Sequence, residues 1–256
     1  MSQEDIDASE APLIEHLIEL RTRLIWSVLG FAAAFIFSFY FSTQIFQILI
    51  RPFQWGTGID PKLISTELLG FFIVKLKIAF FGGLFIGFPL IATQIYRFVA
   101  PGLYKNERQA FLPYLIATPI FFVLGACLVY FFLLPVAITF FYSLVSDIPV
   151  ELMPDVRAYL DFVMMLILAF GLCFQLPVIL TMLGQIGIVS YDQLRSGRKF
   201  AIVGVFVVAA VLTPPDPISQ LSMAVPLMGL YEISVQAVRF LESRRKKAEA
   251  ARDAEA

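Results

Sequence analysis

The chain has 256 residues, of which 59% are hydrophobic and only 15% charged. A soluble domain carries about 45–50% apolar and about 25% charged residues, so this composition excludes a water-soluble globular protein and specifies a polytopic membrane protein. The formal net charge of −1 conceals a strong segregation of charge along the chain.

The single histidine, His16, excludes an HExxH zinc site. Cys127 and Cys173 both lie in apolar runs and read as small hydrophobes, not as a disulfide framework or a metal cluster. There is no GxxxxGK[ST] phosphate loop and no GxSxG elbow, so ATP-driven work and serine hydrolysis both lack support.

Residues 1–12 carry Glu4, Asp5, Asp7 and Glu10 with little to bury, and are expected to form a disordered acidic tail. From Leu13 to Leu24 the spacing specifies a helix. Leu13, Leu17, Leu20 and Leu24 make one apolar stripe widened by Ile14 and Ile18, and Glu15, His16, Glu19, Thr22 and Arg23 lie opposite. Arg21 breaks the pattern by falling inside the apolar face, where its guanidinium needs water, lipid phosphate or a carboxylate. Such a helix lies against a membrane or a partner. The plainer reading makes Glu19 and Arg23 an i,i+4 surface pair of small energetic value.

Span 1 is expected over Leu24–Ile50 and to end at Arg51-Pro52, as an uncleaved anchor. Span 2 covers Phe71–Val99, with Lys75 and Lys77 placed to snorkel and Ala100-Pro101-Gly102 as its stop. Span 3, Phe111–Val145, holds no charge and at 1.5 Å per residue would extend roughly 50 Å, so it reads as one long helix kinked at Pro119 or Pro135. Span 4 covers Tyr159–Ile186. There Pro177 frees the carbonyl of Cys173, and Gln175 is placed to satisfy it. A loop over Gly187–Lys199 leads to span 5, Phe200–Leu212, too short to cross an unperturbed bilayer. The turn Thr213-Pro214-Pro215-Asp216-Pro217 leads into span 6, Ile218–Val238, and a charged tail follows over residues 240–256. Residues 13–239 thus form one membrane domain. With six spans, fourteen lysines and arginines fall on the side of both termini and five on the other, which orients both termini toward the cytoplasm.

Four places carry candidate chemistry. Glu19 and Glu107, at the cytoplasmic entrances to spans 1 and 3, suit a ligand bearing guanidinium groups, unless each simply pairs with the neighbouring Arg23 or Arg108. Gln175 is a mid-membrane amide suited to an interhelical hydrogen bond. Asp216 reads as a helix N-cap, and as a functional carboxylate if the short hairpin holds it below the surface. Glu232 is expected to reach toward the interface.

These residues sit in four motifs: HLIELRTRL at His16–Leu24, FVAPGLYKNER at Phe98–Arg108, AFGLCFQLP at Ala169–Pro177 and LTPPDPISQ at Leu212–Gln220. In this order they resemble the TatC family, the multi-spanning subunit of the twin-arginine protein translocase, and the resemblance extends from Leu13 to Arg239. It implies an all-α integral membrane fold of six transmembrane helices, cup-shaped, with a short final helical hairpin, in the bacterial cytoplasmic (inner) membrane. It implies a receptor for signal peptides with two adjacent arginines and a scaffold for exporting folded proteins on the proton-motive force. No enzymatic activity, cofactor, metal or nucleic acid is implied. The implied partners are small single-span subunits of the TatA and TatB type, in homo- and hetero-oligomers. Glu19, Arg21, Phe98 and Glu107 match the family's recognition surface, Pro52 an important proline after span 1, and Asp216 the acidic residue of the last turn. Thr213 and Gln220 match polar positions where partner subunits dock. Gln175 departs from the pattern, since many members carry glutamate there. A secondary transporter using Gln175 and Asp216 is the competing class, but the repeat symmetry of many such folds is not visible here.

Overall fold

Nine α-helices and one π-helical turn account for nearly all of the computed structural model, which describes residues 3–60, 62–103, 112–145, 153–212 and 217–255. They are α1 (Gln3–Tyr40), α2 (Ser42–Thr57), α3 (Gly70–Leu103), α4 (Leu112–Leu128), the π turn (Val129–Leu133), α5 (Leu134–Ser143), α6 (Val156–Cys173), α7 (Leu176–Gln185), α8 (Tyr191–Leu212) and α9 (Pro217–Glu255). Among the described residues the extended structure amounts to one isolated parallel bridge, between Ile64 and Asp155. Among the described residues, five segments are long and apolar enough to cross a bilayer: His16–Tyr40, Gly70–Phe98, Pro113–Ser143, Val156–Gln185 and Gln220–Arg245. Their surfaces expose Leu29, Ile36, Phe72, Phe80, Val123, Phe132, Met165 and Val225, which only a hydrocarbon solvent accommodates at this density. The chain is a multi-pass membrane protein.

Helix boundaries depart from the sequence reading in five places. α1 begins at Gln3, within the acidic segment expected to be disordered. α2 runs through Pro52 to Thr57 where an end had been expected, and α3 passes Pro101 to reach Leu103. The basic stretch Arg195–Lys199, expected in a loop, forms the first turns of α8, and α9 continues unbroken through the charged tail. The last two differences have one cause: Lys, Arg, Glu and Ala are good helix formers, so a helix that starts in lipid continues into water without cost.

Contacts group the chain into two units, Met1–Ile45 with Lys75–Pro119, and Phe46–Val74 with Ile120–Ala256. In the first, α1 and α3 pack closely because small residues meet. A Cβ on Gly83 would stand 3.0 Å from the Cα of Phe35, so this glycine allows the two backbones to approach. Ser38 and Ala79 are buried, Phe31 meets Phe80 edge to face, and the hydroxyls of Thr118 and Tyr96 hydrogen-bond at 3.0 Å.

In the second unit, two helix irregularities fit one another. Pro52 lies inside α2, buried, and as a proline it cannot donate to the carbonyl of Ile48. The Tyr130 hydroxyl donates to that carbonyl at 2.7 Å. Tyr130 belongs to the π turn, closed by the amide of Leu134 bonding the Val129 carbonyl just before Pro135. Of the two prolines at which a kink was expected, Pro119 lies inside α4 and Pro135 directly follows a π turn, the widened geometry that accommodates a residue unable to continue the ladder. Trp55 stacks on Phe131 at 5.6 Å, Thr139 donates to the Gly56 carbonyl at 2.7 Å, and Tyr159 donates to that of Leu49 at 3.1 Å.

The rest of this unit follows the same logic. α4 crosses α6 with Gly125 against the Phe170 carbonyl, where a Cβ would stand at 2.6 Å. Beyond it, α7, α8 and α9 share a core of Leu194, Val235 and Val238 flanked by Leu180 and Tyr231. Outside the apolar segments, the loop before α3 is held to the start of α6. The amide of Ile64 donates to the Pro154 carbonyl, that of Val156 donates back to Ile64, and Arg157 grips both oxygens of Glu67 at 3.1 and 2.8 Å. Asp155 caps α6 by accepting from the amides of Arg157 and Ala158, and takes the Thr66 hydroxyl as well. These bonds, that of the Ala158 amide foremost, hold its carboxyl below the usual aspartate range.

Candidate recognition site

The polar side of α1, not its leucine stripe, turns toward α3. His16, Glu19 and Arg23 recur at i, i+3 and i+7 on α1, and Gln94 and Phe98 at i and i+4 on α3, so each set forms one stripe. The two stripes meet. The His16 ring stacks on that of Phe98 with centroids 4.3 Å apart and planes 23° from parallel. One to two turns further along α1, Arg23 Nη2 donates to Glu19 Oε1 at 3.1 Å, and its Nη1 reaches Gln94 Oε1 at 3.5 Å. Both members of the ion pair keep 30% of their side-chain surface exposed. The Nε of Arg23 is buried and has no acceptor among the described residues. Leu17, Leu20 and Leu24 are exposed, as is Arg21.

The candidate residues therefore separate. Glu19 and Phe98 come together through Arg23, Gln94 and His16. Arg21 stands on the exposed side, since a two-residue step turns a helix by about 200°. Glu107 lies outside the described residues. Gln94 was missed by sequence reasoning. Its signal was a lone amide in an apolar run, four residues before Phe98.

The remaining candidates lie in the other unit. The side chain of Gln175 donates to the Gly171 carbonyl at 3.4 Å, a local bond back to the preceding turn. Its own amide has tightened onto Leu172 at 2.9 Å, so the carbonyl freed by this tighter turn is that of Gly171. Gln220 donates to the Phe206 carbonyl at 3.4 Å and so ties α9 to α8. Glu232 pairs with Arg198 at 2.8 Å on the same hairpin, an assignment the sequence reading did not make. Thr213 and Asp216 lie outside the described residues.

A helical multi-pass membrane protein with a partly exposed carboxylate–guanidinium pair beside an aromatic stack has the groups to bind a cationic ligand. The comparisons name the family. A family model described as Sec-independent protein translocase protein (TatC) matches residues 15–226. The TatC protein of Magnetococcus marinus is 45% identical over 246 residues, covering 96% of this chain and 90% of that protein. That of Escherichia coli K12 is 36% identical over 249 residues, covering 97% and 95%. A crystal structure of the twin-arginine translocase receptor TatC superposes with a TM-score of 0.79 at 36% identity, covering 89% of this chain and 99% of that one. The chain belongs to the TatC family of Sec-independent protein translocase proteins, a transport family and not an enzyme family.

Proposed function

We propose that this protein is the receptor subunit of a twin-arginine translocase, and that Glu19, Arg21, Phe98 and Glu107 form its surface for signal peptides with two adjacent arginines. The observation that carries the reading is that Glu19 already holds a guanidinium, that of Arg23, at 3.1 Å beside the His16–Phe98 stack. A carboxylate next to an aromatic face offers an arginine both a charge-assisted hydrogen bond and a stacking surface. The solved relative carries the name twin-arginine translocase receptor, which supports the same reading.

The chain crosses the bacterial inner membrane six times with both termini in the cytoplasm. α8 supplies the short fifth span, and the excess of lysine and arginine on the side of the termini supports this orientation. Pro52 has a structural role. Gln175, Thr213, Asp216 and Gln220 form the polar region where single-span subunits of the TatA and TatB type dock, and the assembly exports folded cargo on the proton-motive force. The acidic tail 1–12, membrane domain 13–239 and charged tail 240–256 form the working divisions.

The test is signal-peptide capture by purified Glu19→Lys and Glu107→Lys variants with unchanged melting behaviour. Both lose capture on this account. Unchanged affinity in both would refute the assignment.

A further inference from the structure

We propose that Arg23 is the resident occupant of the Glu19 carboxylate, and that an incoming arginine binds by displacing it. The inference rests on the recognition reading above and deepens it, because it assigns a residue that sets the affinity of that site.

Three observations support displacement over a fixed structural pair. First, Arg23 is poorly satisfied where it lies. Its contact with Gln94 is at the 3.5 Å limit of a hydrogen bond and its Nε is buried without an acceptor among the described residues, leaving one sound bond, to Glu19. Second, that bond uses only Oε1 of the carboxylate. A guanidinium arriving from outside is free to align both of its parallel N–H groups on both oxygens, a geometry not adopted by Arg23, tethered one turn away on the same helix. Third, the pair is open to approach, since both side chains retain 30% of their surface.

The thermodynamic consequence has a sign and a symmetry. Displacing Arg23 costs the same whichever ligand arrives. Its removal therefore tightens a two-arginine peptide and a two-lysine peptide by one common factor and leaves their ratio unchanged. If Arg23 instead positions Glu19 for the ligand, its removal weakens binding. Removal of a positive charge also favours any cationic peptide through space, but that contribution is screened beyond about 10 Å at 0.1 M salt.

The experiment uses the full-length protein in nanodiscs and two labelled peptides, identical except for adjacent arginines or adjacent lysines. Arg23→Ala is expected to bind both about two- to five-fold more tightly, the range that exposed ion pairs cover, with the factor retained at raised salt. Arg23→Lys, which keeps the charge and the fold but loses the planar fork, is expected to shift binding in the same direction by less. Weaker binding to either variant, or a gain that vanishes at raised salt, would overturn the proposal. Glu19→Gln separates the two levels: if it leaves affinity unchanged, the place of Glu19 in the recognition surface fails, whatever Arg23 does.

Discussion

Two regions of the molecule treat unsatisfied polar groups in opposite ways. Around Pro52, the carbonyl that the proline cannot serve takes the Tyr130 hydroxyl at 2.7 Å, and Thr139 and Tyr159 donate to further carbonyls of α2. Around Glu19, by contrast, a guanidinium has one sound bond, a second contact at 3.5 Å and a buried nitrogen without an acceptor among the described residues. In lipid an unsatisfied backbone group costs several kcal/mol, so a scaffold has to complete its bonds internally. A receptor is under the opposite constraint, because a fully satisfied site has nothing left to offer a ligand. On the proposed reading, α2 and the π turn are structure, and the α1–α3 end is where a signal peptide would complete the bonding.

Substitutions can break this contrast in order of size. The largest loss of stability is expected for Gly125→Val, whose side chain would be forced against the Phe170 carbonyl and Phe174 ring. Overpacking of this kind costs about 1–3 kcal/mol or more, and thermal unfolding in detergent will register it. Tyr130→Phe comes next. It strands the Ile48 carbonyl and is expected to cost about 1–3 kcal/mol. Adding Pro52→Ala restores a backbone donor to that carbonyl, so the two changes together are expected to cost less than their sum, which a double-mutant cycle measures. Equal and additive effects would show that Tyr130 serves no freed group.

Smaller effects sharpen the other side. Asp155 has its carboxyl held below the ordinary value of 3.8 by the amide of Ala158 first, and then by those of Arg157 and Thr66 and the Thr66 hydroxyl, against some desolvation. Because the folded-state value is lowered, its contribution is present above the ordinary range and is lost as pH falls through the lowered value. The stability gap between wild type and Asp155→Ala is therefore expected to narrow on acidification and to be flat near neutrality. Smallest of all is Glu19→Gln. Breaking this partly exposed i,i+4 pair is expected to change stability by no more than about 0.5 kcal/mol while removing most signal-peptide affinity. A large loss of stability there would move Glu19 from the site to the scaffold.

The sequence made the existence and order of five long spans plain, because runs of apolar residues this long have one physical use; the sixth, Phe200–Leu212, is too short to be recognised by length. It misplaced the end of α2 because the cost of a proline depends on what else can bond the freed carbonyl. For Pro52 that group is Tyr130, 78 positions away. Gln175 shows a milder form of the same problem: a local compensating role was legible, but not that the turn would tighten and leave the Gly171 carbonyl to the Gln175 side chain. At the site, the i, i+3, i+7 spacing of His16, Glu19 and Arg23 was visible. That this polar face would turn inward onto Gln94 and Phe98, with the leucines left outside, was not, because lipid inverts the rule that apolar faces seek the core.

The most direct test of the central claim is the affinity of the purified protein for a signal peptide with two adjacent arginines against its two-lysine twin, in wild type and in Glu107→Lys. Lysine keeps the charge and loses the fork, so the account predicts a clear preference for the arginine peptide that disappears in the variant. Equal binding of the two peptides by the wild-type protein would contradict it, and would reduce the site to a generic acidic surface.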